Sequence, residues 1–363
     1  MMFPAAPAFL NLAALTARRR GPPVHWRGRT TRRARTMTSD GGGGENADDR
    51  NRFDFDEMEH RNWERGCEAY DEGFGPLTRR TVPALLANSG FPPPAAAAGI
   101  DGEEEEDGGT IRLLDVATGP GFVLSSAIDA ALRSTDEGER RSFRLAGLDV
   151  TQNFLTLASR RIDAQLRGRQ RSKKLDVDLV EGSAESLPFP EDAFDSVVCN
   201  FGILHFFDPL LFLRESHRVL RPGGRVAFSA WSPPPRTEGF GIALESIAEA
   251  GNPDVEGIPE GPAFFDFGDP DRATAALRDA GFEDVASTEL DEMRWDNLRS
   301  GEMLYEVLSE GTSRTREVLL GQTPEEADAV RSMMAEKYGS ITEGGRRPLS
   351  MPALVTSGRK PFR

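Results

Sequence analysis

The chain has 363 residues, of which 38% are hydrophobic and 28% are charged, a composition typical of a globular protein with one large domain or two modest ones. Its formal net charge is −15. Residues 1–37 hold eight arginines and no acid, which leaves 36 basic and 59 acidic residues, a charge of −23, for the rest. That charge repels phosphate groups, so neither nucleic acid nor a bare anionic membrane surface is expected as a partner.

Two further patterns exclude other classes of protein. No apolar run reaches the roughly 18 residues of a membrane span, so none is predicted. Cys67 and Cys199 lie far apart and lack the CxxC spacing, so neither a disulfide framework nor a zinc site is predicted. The oligomeric state has no signature in the sequence.

Residues 1–37 are rich in arginine, alanine and leucine and lack acids, which is typical of an organelle transit peptide. A mitochondrial address is favoured over a chloroplast one, and the alternative is an unselected tail on a cytoplasmic protein. Residues 38–62 begin with a polar, glycine-rich stretch and are expected to be a disordered linker. The folded domain is therefore predicted at 63–363.

The domain is predicted to open with two helices. Trp63, Cys67, Tyr70 and Phe74 share one helical face, and a second helix is expected to end near Gly90. Residues 91–109 combine prolines, alanines and an acidic block, a low-complexity insertion. Its successive glutamates favour a solvated loop over a metal site, and no metal site is predicted.

Residues 111–232 contain five short apolar runs typical of strands, and three stretches with helical periodicity lie between them. This alternation predicts an α/β fold, a doubly wound and mostly parallel sheet with helices on both faces. Ligands of such sheets bind at the carboxyl ends of the strands.

Residues 233–350 are predicted to add further elements on the ligand side. A helix is expected at 239–250, then a capped helix, a turn at Gly281 and a strand. The helices predicted at 300–338 include one that opens with Thr323, Pro324 and Glu326, the pattern of a capping box. A last strand is expected within "MPALVTSGRKP", at 351–361.

The stretch "LLDVATGPGF", at 113–122, is a strand-to-helix turn with two glycines. A side chain at Gly119 or Gly121 would keep a ligand away from the backbone, and the next helix offers free N–H groups. A dinucleotide site would need a third glycine at Leu124 and an acid about 20 residues further on, but Asp149 follows Gly121 by 28. A nicotinamide-dependent oxidoreductase is therefore a weak alternative.

Four segments in order, "LLDVATGPGF", "GLDV", "EGSAESLPFPEDAFDSVVCNFGILHF" and "RVLRPGGRVAFSAW", resemble the motifs of class I S-adenosylmethionine-dependent methyltransferases. The closest likeness is to the type 11 group, which includes ubiquinone and menaquinone C-methyltransferases. The resemblance implies a seven-stranded Rossmann-like sheet, S-adenosylmethionine as cofactor, and helical lid elements at both ends of the domain. It does not identify the acceptor.

The resemblance also implies a cofactor site. Asp115 would orient the glycine turn and approach the methionine amine, Asp149 would bind the ribose hydroxyls, and Val150 would pack on the adenine. The other implied cofactor contacts are Ala117, Gly119, Gly121, Ser183, Ala184, Glu185, Asn200 and Phe201. Ala117 and Ser183 depart from the family's usual glycine and aspartate.

Methyl transfer is an in-line displacement at a carbon already activated by the sulfonium, so it requires mainly alignment, and a general base only if the acceptor must lose a proton. His205 is the candidate base, and the alternative is a histidine that only holds a loop. His217 is expected to be structural. Acceptor contacts are predicted from Trp63, Tyr70 and Phe74, with Met303, Tyr305, Met333 and Met334 as further lining. The alternative for the three N-terminal aromatic residues, packing of their helix on the sheet, is slightly favoured.

The sequence thus predicts a methyltransferase acting on a small molecule, with an apolar or aromatic compound as the expected kind of acceptor. A methyltransferase-like protein that binds cofactor or a partner without catalysis is the other hypothesis that stays open.

Overall fold

The computed structural model describes residues 47–93, 109–136, 142–167 and 174–362. The predicted transit peptide and most of the low-complexity insertion, including the acidic block, lie outside these residues. Within them, no helix is both long and apolar enough to cross a membrane.

One sheet of seven strands organises the chain, in the order β3-β2-β1-β4-β5-β9-β6. The strands are β1 (Thr110–Val116), β2 (Ser142–Asp149), β3 (Leu175–Glu181), β4 (Phe194–Asn200), β5 (Leu220–Trp231), β6 (Glu283–Leu290) and β9 (Ala353–Arg359). Strands β1 to β5 are parallel, whereas β9 runs antiparallel between β5 and β6. The predicted mostly parallel sheet is confirmed.

Helices connect the parallel strands and cover both faces of the sheet. They are α4 (Phe122–Asp136), α5 (Gln152–Leu166), α6 (Pro209–Val219) and α8 (Pro270–Asp279). Two buried clusters of apolar side chains, one on each face, include Leu114 and Phe228 on one side and Leu113 and Ala227 on the other. Neighbouring residues of one strand point to opposite faces, so both faces of the sheet are buried.

The N-terminal helices are α1 (Ala47–Gly73), α2 (Gly75–Thr78) and α3 (Val82–Asn88). The predicted linker at 38–62 is therefore wrong from residue 47 onward. Phe55 and Met58 are almost fully buried, and they anchor a helix whose other residues are mostly polar. Because most residues of this segment are polar, its short apolar stripe did not stand out in the sequence.

The C-terminal part contains α7 (Glu238–Ala250), α9 (Gly301–Glu310), α10 (Arg314–Leu320) and α11 (Pro324–Ile341), with a small hairpin of β7 (Arg294–Trp295) and β8 (Leu349–Ser350). The capping box at Thr323 and Glu326 is confirmed. The prediction of lid elements at 233–350 is wrong for part of this range, because β6 is a strand of the main sheet and α8 packs against that sheet.

Candidate active site

A cavity of about 280 Å³ lies at the carboxyl ends of β1, β2 and β4, where ligands of parallel sheets bind. Its volume is near the lower end of small-molecule sites, roughly 300 to 1,000 Å³. The turn after β1 and the segments after β2 and β3 form one half. Helix α1, the turn after β4 and the start of α10 form the other half.

The turn after β1 brings its backbone to the cavity wall. Ala117 and Gly119 both lie in the left-handed region, with φ of 54° and 53°. A Cβ on Gly119 would meet no atom within 4 Å, so the space above this residue is open. Ala117 adopts a conformation that favours glycine, which gives a physical reason for the glycine that the family usually has there.

Two predicted residues of this turn do not line the cavity. Gly121 packs against α5, where a Cβ would lie 3.0 Å from that of Ala158, so its glycine is explained by packing on that helix and its predicted ligand contact stays a prediction. Asp115 is fully buried behind the wall, and its Oδ2 accepts a hydrogen bond of 2.6 Å from the Thr118 hydroxyl. It orients the turn, as predicted, but Thr118 rather than Asp115 reaches the cavity.

Asp149, at the end of β2, lines the cavity and holds the turn. Its Oδ2 accepts from the Gly119 N–H at 2.8 Å, and its Oδ1 accepts from the N–H and hydroxyl of Thr151 at 3.0 and 2.6 Å. Burial raises the pKa of this carboxyl, and these hydrogen bonds oppose the shift. A carboxylate offers about four acceptor positions, so this arrangement leaves one for a ligand hydroxyl rather than two.

The segment after β3 completes this half. Ser183, Ala184 and Glu185 line the cavity, as does Val150, whose side chain is exposed. The Ser183 hydroxyl accepts from the Glu185 N–H at 3.2 Å, which leaves its own proton and a lone pair available. Arg52 of α1 pairs with Glu185, so a side chain from the segment predicted as linker contacts a residue of the cavity wall.

The two halves meet at the end of β4. The Asn200 amide is held by the protein itself, since its oxygen accepts from the Ser229 hydroxyl at 2.7 Å and its nitrogen donates to the Thr78 carbonyl at 3.2 Å. Phe201 has a φ of 58° and stacks on Trp231 with ring centroids 4.0 Å apart. A bulky residue keeps such a strained backbone conformation only where the surrounding structure holds it, and residues of this kind cluster at ligand-binding sites.

The second half of the cavity is largely aromatic. Trp63, Tyr70 and Phe74 of α1 line it as predicted, and they are joined by Phe154, Phe206, Trp231, Phe240 and Phe264. Met303, Tyr305, Met333 and Met334 are absent from its wall, so their predicted lining is wrong. Tyr305 and Met334 are buried in the contact of α9 with α11.

His205 lies in this half, in a short 3₁₀ turn after β4, beside two charged groups that sequence reasoning missed. These are Glu59 of α1 and Arg314 of α10. Glu59 fell within the predicted linker, and Arg314 has no local sequence signal. His217 lies elsewhere, against Phe282, consistent with the predicted structural role. Among the described residues, no cluster of acids, histidines or cysteines has the arrangement of a metal site.

The residues in the first half of the cavity suit S-adenosylmethionine. The open space over Gly119 admits a ligand close to the backbone, Asp149 retains an acceptor for a ribose hydroxyl, and the Ser183 hydroxyl lies on the same wall. The residues present therefore fit the cofactor that the motif series implies.

Comparisons with known proteins agree. A family model described as "Methyltransferase domain" matches residues 114–228. A demethylmenaquinone methyltransferase of Deinococcus radiodurans is 31% identical over 180 residues, 47% of this chain and 67% of that protein. The enzyme of the same name from Thermus thermophilus is 34% identical over 150 residues, 41% of this chain and 60% of that protein. The matches thus span about two thirds or less of these relatives.

Among solved structures, a phosphoethanolamine N-methyltransferase 2 of Haemonchus contortus in complex with S-adenosylhomocysteine aligns with 85% of this chain and 60% of its own, with 16% identity and a TM-score of 0.47. The sheet order, the site and the sequence relatives define an S-adenosylmethionine-dependent methyltransferase fold. The chain belongs to the class I S-adenosylmethionine-dependent methyltransferases, in the type 11 group, and its cofactor is S-adenosylmethionine.

Proposed function

We propose that the protein transfers the methyl group of S-adenosylmethionine to a flat aromatic acceptor of the quinol class. The observation that carries this proposal is the continuity of the cavity, in which the cofactor half and the aromatic half adjoin at Asn200 and Phe201. A cofactor and an acceptor bound in the two halves would lie side by side.

The aromatic wall supports a flat acceptor. Trp63 meets Tyr70 edge to face at 5.5 Å and meets Phe154 at 5.9 Å, so the rings are fixed by one another before any ligand binds. Fixed rings offer apolar area and stacking at little entropic cost. The names of the two sequence relatives point to the same class of acceptor.

The protein's contribution to the reaction is alignment and exclusion of water. Bound S-adenosylmethionine supplies a methyl group activated by its sulfonium charge. Helix α1 covers the cavity and is held over it by Arg52, which pairs with Glu185, and by Glu64, which accepts from the Gln152 N–H at 2.8 Å. A covered, aligned pair of reactants lowers the barrier of the displacement step.

The test is methyl transfer by the purified full chain from isotope-labelled S-adenosylmethionine, with mass spectrometry of the products. Acceptors are reduced benzoquinone, reduced naphthoquinone and simple phenols, with an aliphatic amine for contrast. We expect isotope label in the ring compounds and no label in the amine. The Asp149→Asn variant should lose at least 10-fold in rate at limiting cofactor, and Asp163→Asn, on the exposed face of α5, should lose nothing.

Two results would contradict the proposal. Label in the amine alone would assign another class of acceptor. Tight binding of S-adenosylhomocysteine without transfer to any acceptor would favour the non-catalytic alternative.

A further inference from the structure

Three charged or titratable groups meet in the aromatic half of the cavity, on three different elements. Glu59 Oε2 lies 3.1 Å from His205 Nδ1 and accepts a 2.9 Å hydrogen bond from the Trp63 indole N–H. Glu59 Oε1 lies 3.4 Å from the Arg314 guanidinium. The side chains of Glu59 and Arg314 are 7% and 12% exposed, so this is a nearly buried cluster at a cavity wall.

The cluster keeps Glu59 ionised. Burial raises the pKa of its carboxyl, but the electrostatic interactions with His205 and Arg314 and the hydrogen bonds with His205 and Ser313 together outweigh burial and lower it below the usual value. Arg314 is fixed in turn, because it donates to the Pro262 carbonyl at 2.6 Å and also to the Leu204 carbonyl, next to His205. A buried ion pair is a costly way to stabilise a fold, which favours a function for this one.

The carboxylate selects one form of the histidine. Glu59 Oε2 can only accept, so in neutral His205 the proton lies on Nδ1 and the lone pair on Nε2. Nε2 has no hydrogen-bond partner among the described residues, and the ring lines the cavity beside Phe206 and Phe264. An oriented imidazole with a free lone pair is the arrangement of a general base.

We propose that His205 is the general base of this enzyme, that Glu59 positions it, and that the acceptor therefore carries a phenolic or enolic hydroxyl. This inference rests on the proposed function and deepens it. The hydroxyl proton passes to Nε2, while the acceptor's electron pair forms a bond to the methyl carbon through oxygen or the adjacent ring carbon. The bond from that carbon to sulfur breaks, its electron pair stays on sulfur, and the imidazolium proton leaves for water. In the ring-carbon route, the ring carbon also loses its own proton to water and the ring oxygen takes one proton back from water, so the hydroxyl is restored and one net proton is released.

The first test compares acceptors of different acidity in His205→Ala and Glu59→Gln. For weakly acidic phenols we expect kcat to fall roughly 100-fold or more in His205→Ala and by a smaller factor in Glu59→Gln. For nitrophenols that are already ionised at the assay pH, both variants should approach the wild type. Added imidazole should partly restore His205→Ala. The control is His217→Ala, which changes a histidine outside the cavity.

A uniform loss for all acceptors, without rescue by imidazole, would overturn the proposal and leave His205 a structural residue. Titration with S-adenosylhomocysteine checks that each variant keeps its fold and cofactor site.

The second test needs no acceptor. Nitrogen NMR of the labelled wild type should show neutral His205 with its proton on Nδ1, and the opposite tautomer would overturn the proposal. If the wild type has this tautomer but methylates no acceptor, the proposed function fails while the assigned geometry stands, so the two failures are distinguishable.

Discussion

At the scale of single residues, the cofactor loop shows what local sequence can and cannot give. The turn with its glycines and the position of Asp149 at the end of β2 were predicted from "LLDVATGPGF" and "GLDV". Which residues of the turn face the cavity could not be predicted. Gly121 and Asp115 are not part of the cavity wall, because Gly121 packs against α5 and Asp115 is bonded to Thr118 behind the wall. Which side of a loop meets a ligand depends on the helix packed behind it.

Asp115 yields a prediction about stability. Burial raises the pKa of its carboxyl from 3.8 to about 7, the charge of Asp149 adds to this, and the bond from Thr118 opposes it. Between about pH 4 and pH 7 the folded state therefore holds a proton that the unfolded state has lost, so stability falls as pH rises and levels off above 7.

The Asp115→Asn variant lacks this titration. Its free energy of unfolding relative to the wild type should rise by up to about 4 kcal/mol between pH 4 and pH 7, and stay level above pH 7. Denaturant unfolding at pH 5, 6, 7 and 8 measures the difference. An offset between the two proteins that is the same at every pH would show that Asp115 does not titrate in this range.

At the scale of elements, periodicity predicted most helices and strands, and failed for the first half of α1. Its apolar stripe is too sparse to stand out, and its stability comes from contacts with distant residues. Glu64, in the second half of the same helix, also contacts a distant element, since its carboxylate accepts from the Gln152 and Asn153 N–H groups at 2.8 and 3.2 Å and so caps α5. The hydroxyl of Thr151, the N-cap residue of α5, donates to Asp149 instead.

This cap is testable by substitution. Glu64→Ala should lower the free energy of unfolding by about 1 kcal/mol and speed hydrogen exchange in the first turn of α5, because two N–H groups lose their acceptor. The matched control is Glu68→Ala, an exposed glutamate one turn further along the same helix. Equal effects of the two substitutions on stability and exchange would show that Glu64 is not a cap.

At the scale of the whole molecule, the order of motifs predicted the seven-stranded sheet and the edge at which ligands bind. The aromatic half of the cavity was only partly predictable. Trp63, Tyr70 and Phe74 shared a visible helical face, whereas Phe264 and Arg314 come from segments with no common pattern and meet only in the folded chain. The organelle address expected of residues 1–37 stays a prediction.

The central claim is that the cofactor lies against the backbone at Gly119, in the half of the cavity formed by the turn after β1 and the segments after β2 and β3. Calorimetric titration of S-adenosylhomocysteine tests it in the wild type, in Gly119→Ala and in Gly257→Ala. Both glycines have positive φ and open space at Cβ, with φ of 53° and 82°, but only Gly119 lines the cavity. We predict one site per chain, unchanged in Gly257→Ala and weakened at least 10-fold in Gly119→Ala. Binding to Gly119→Ala as tight as to the wild type, or no binding to the wild type at all, would contradict the account.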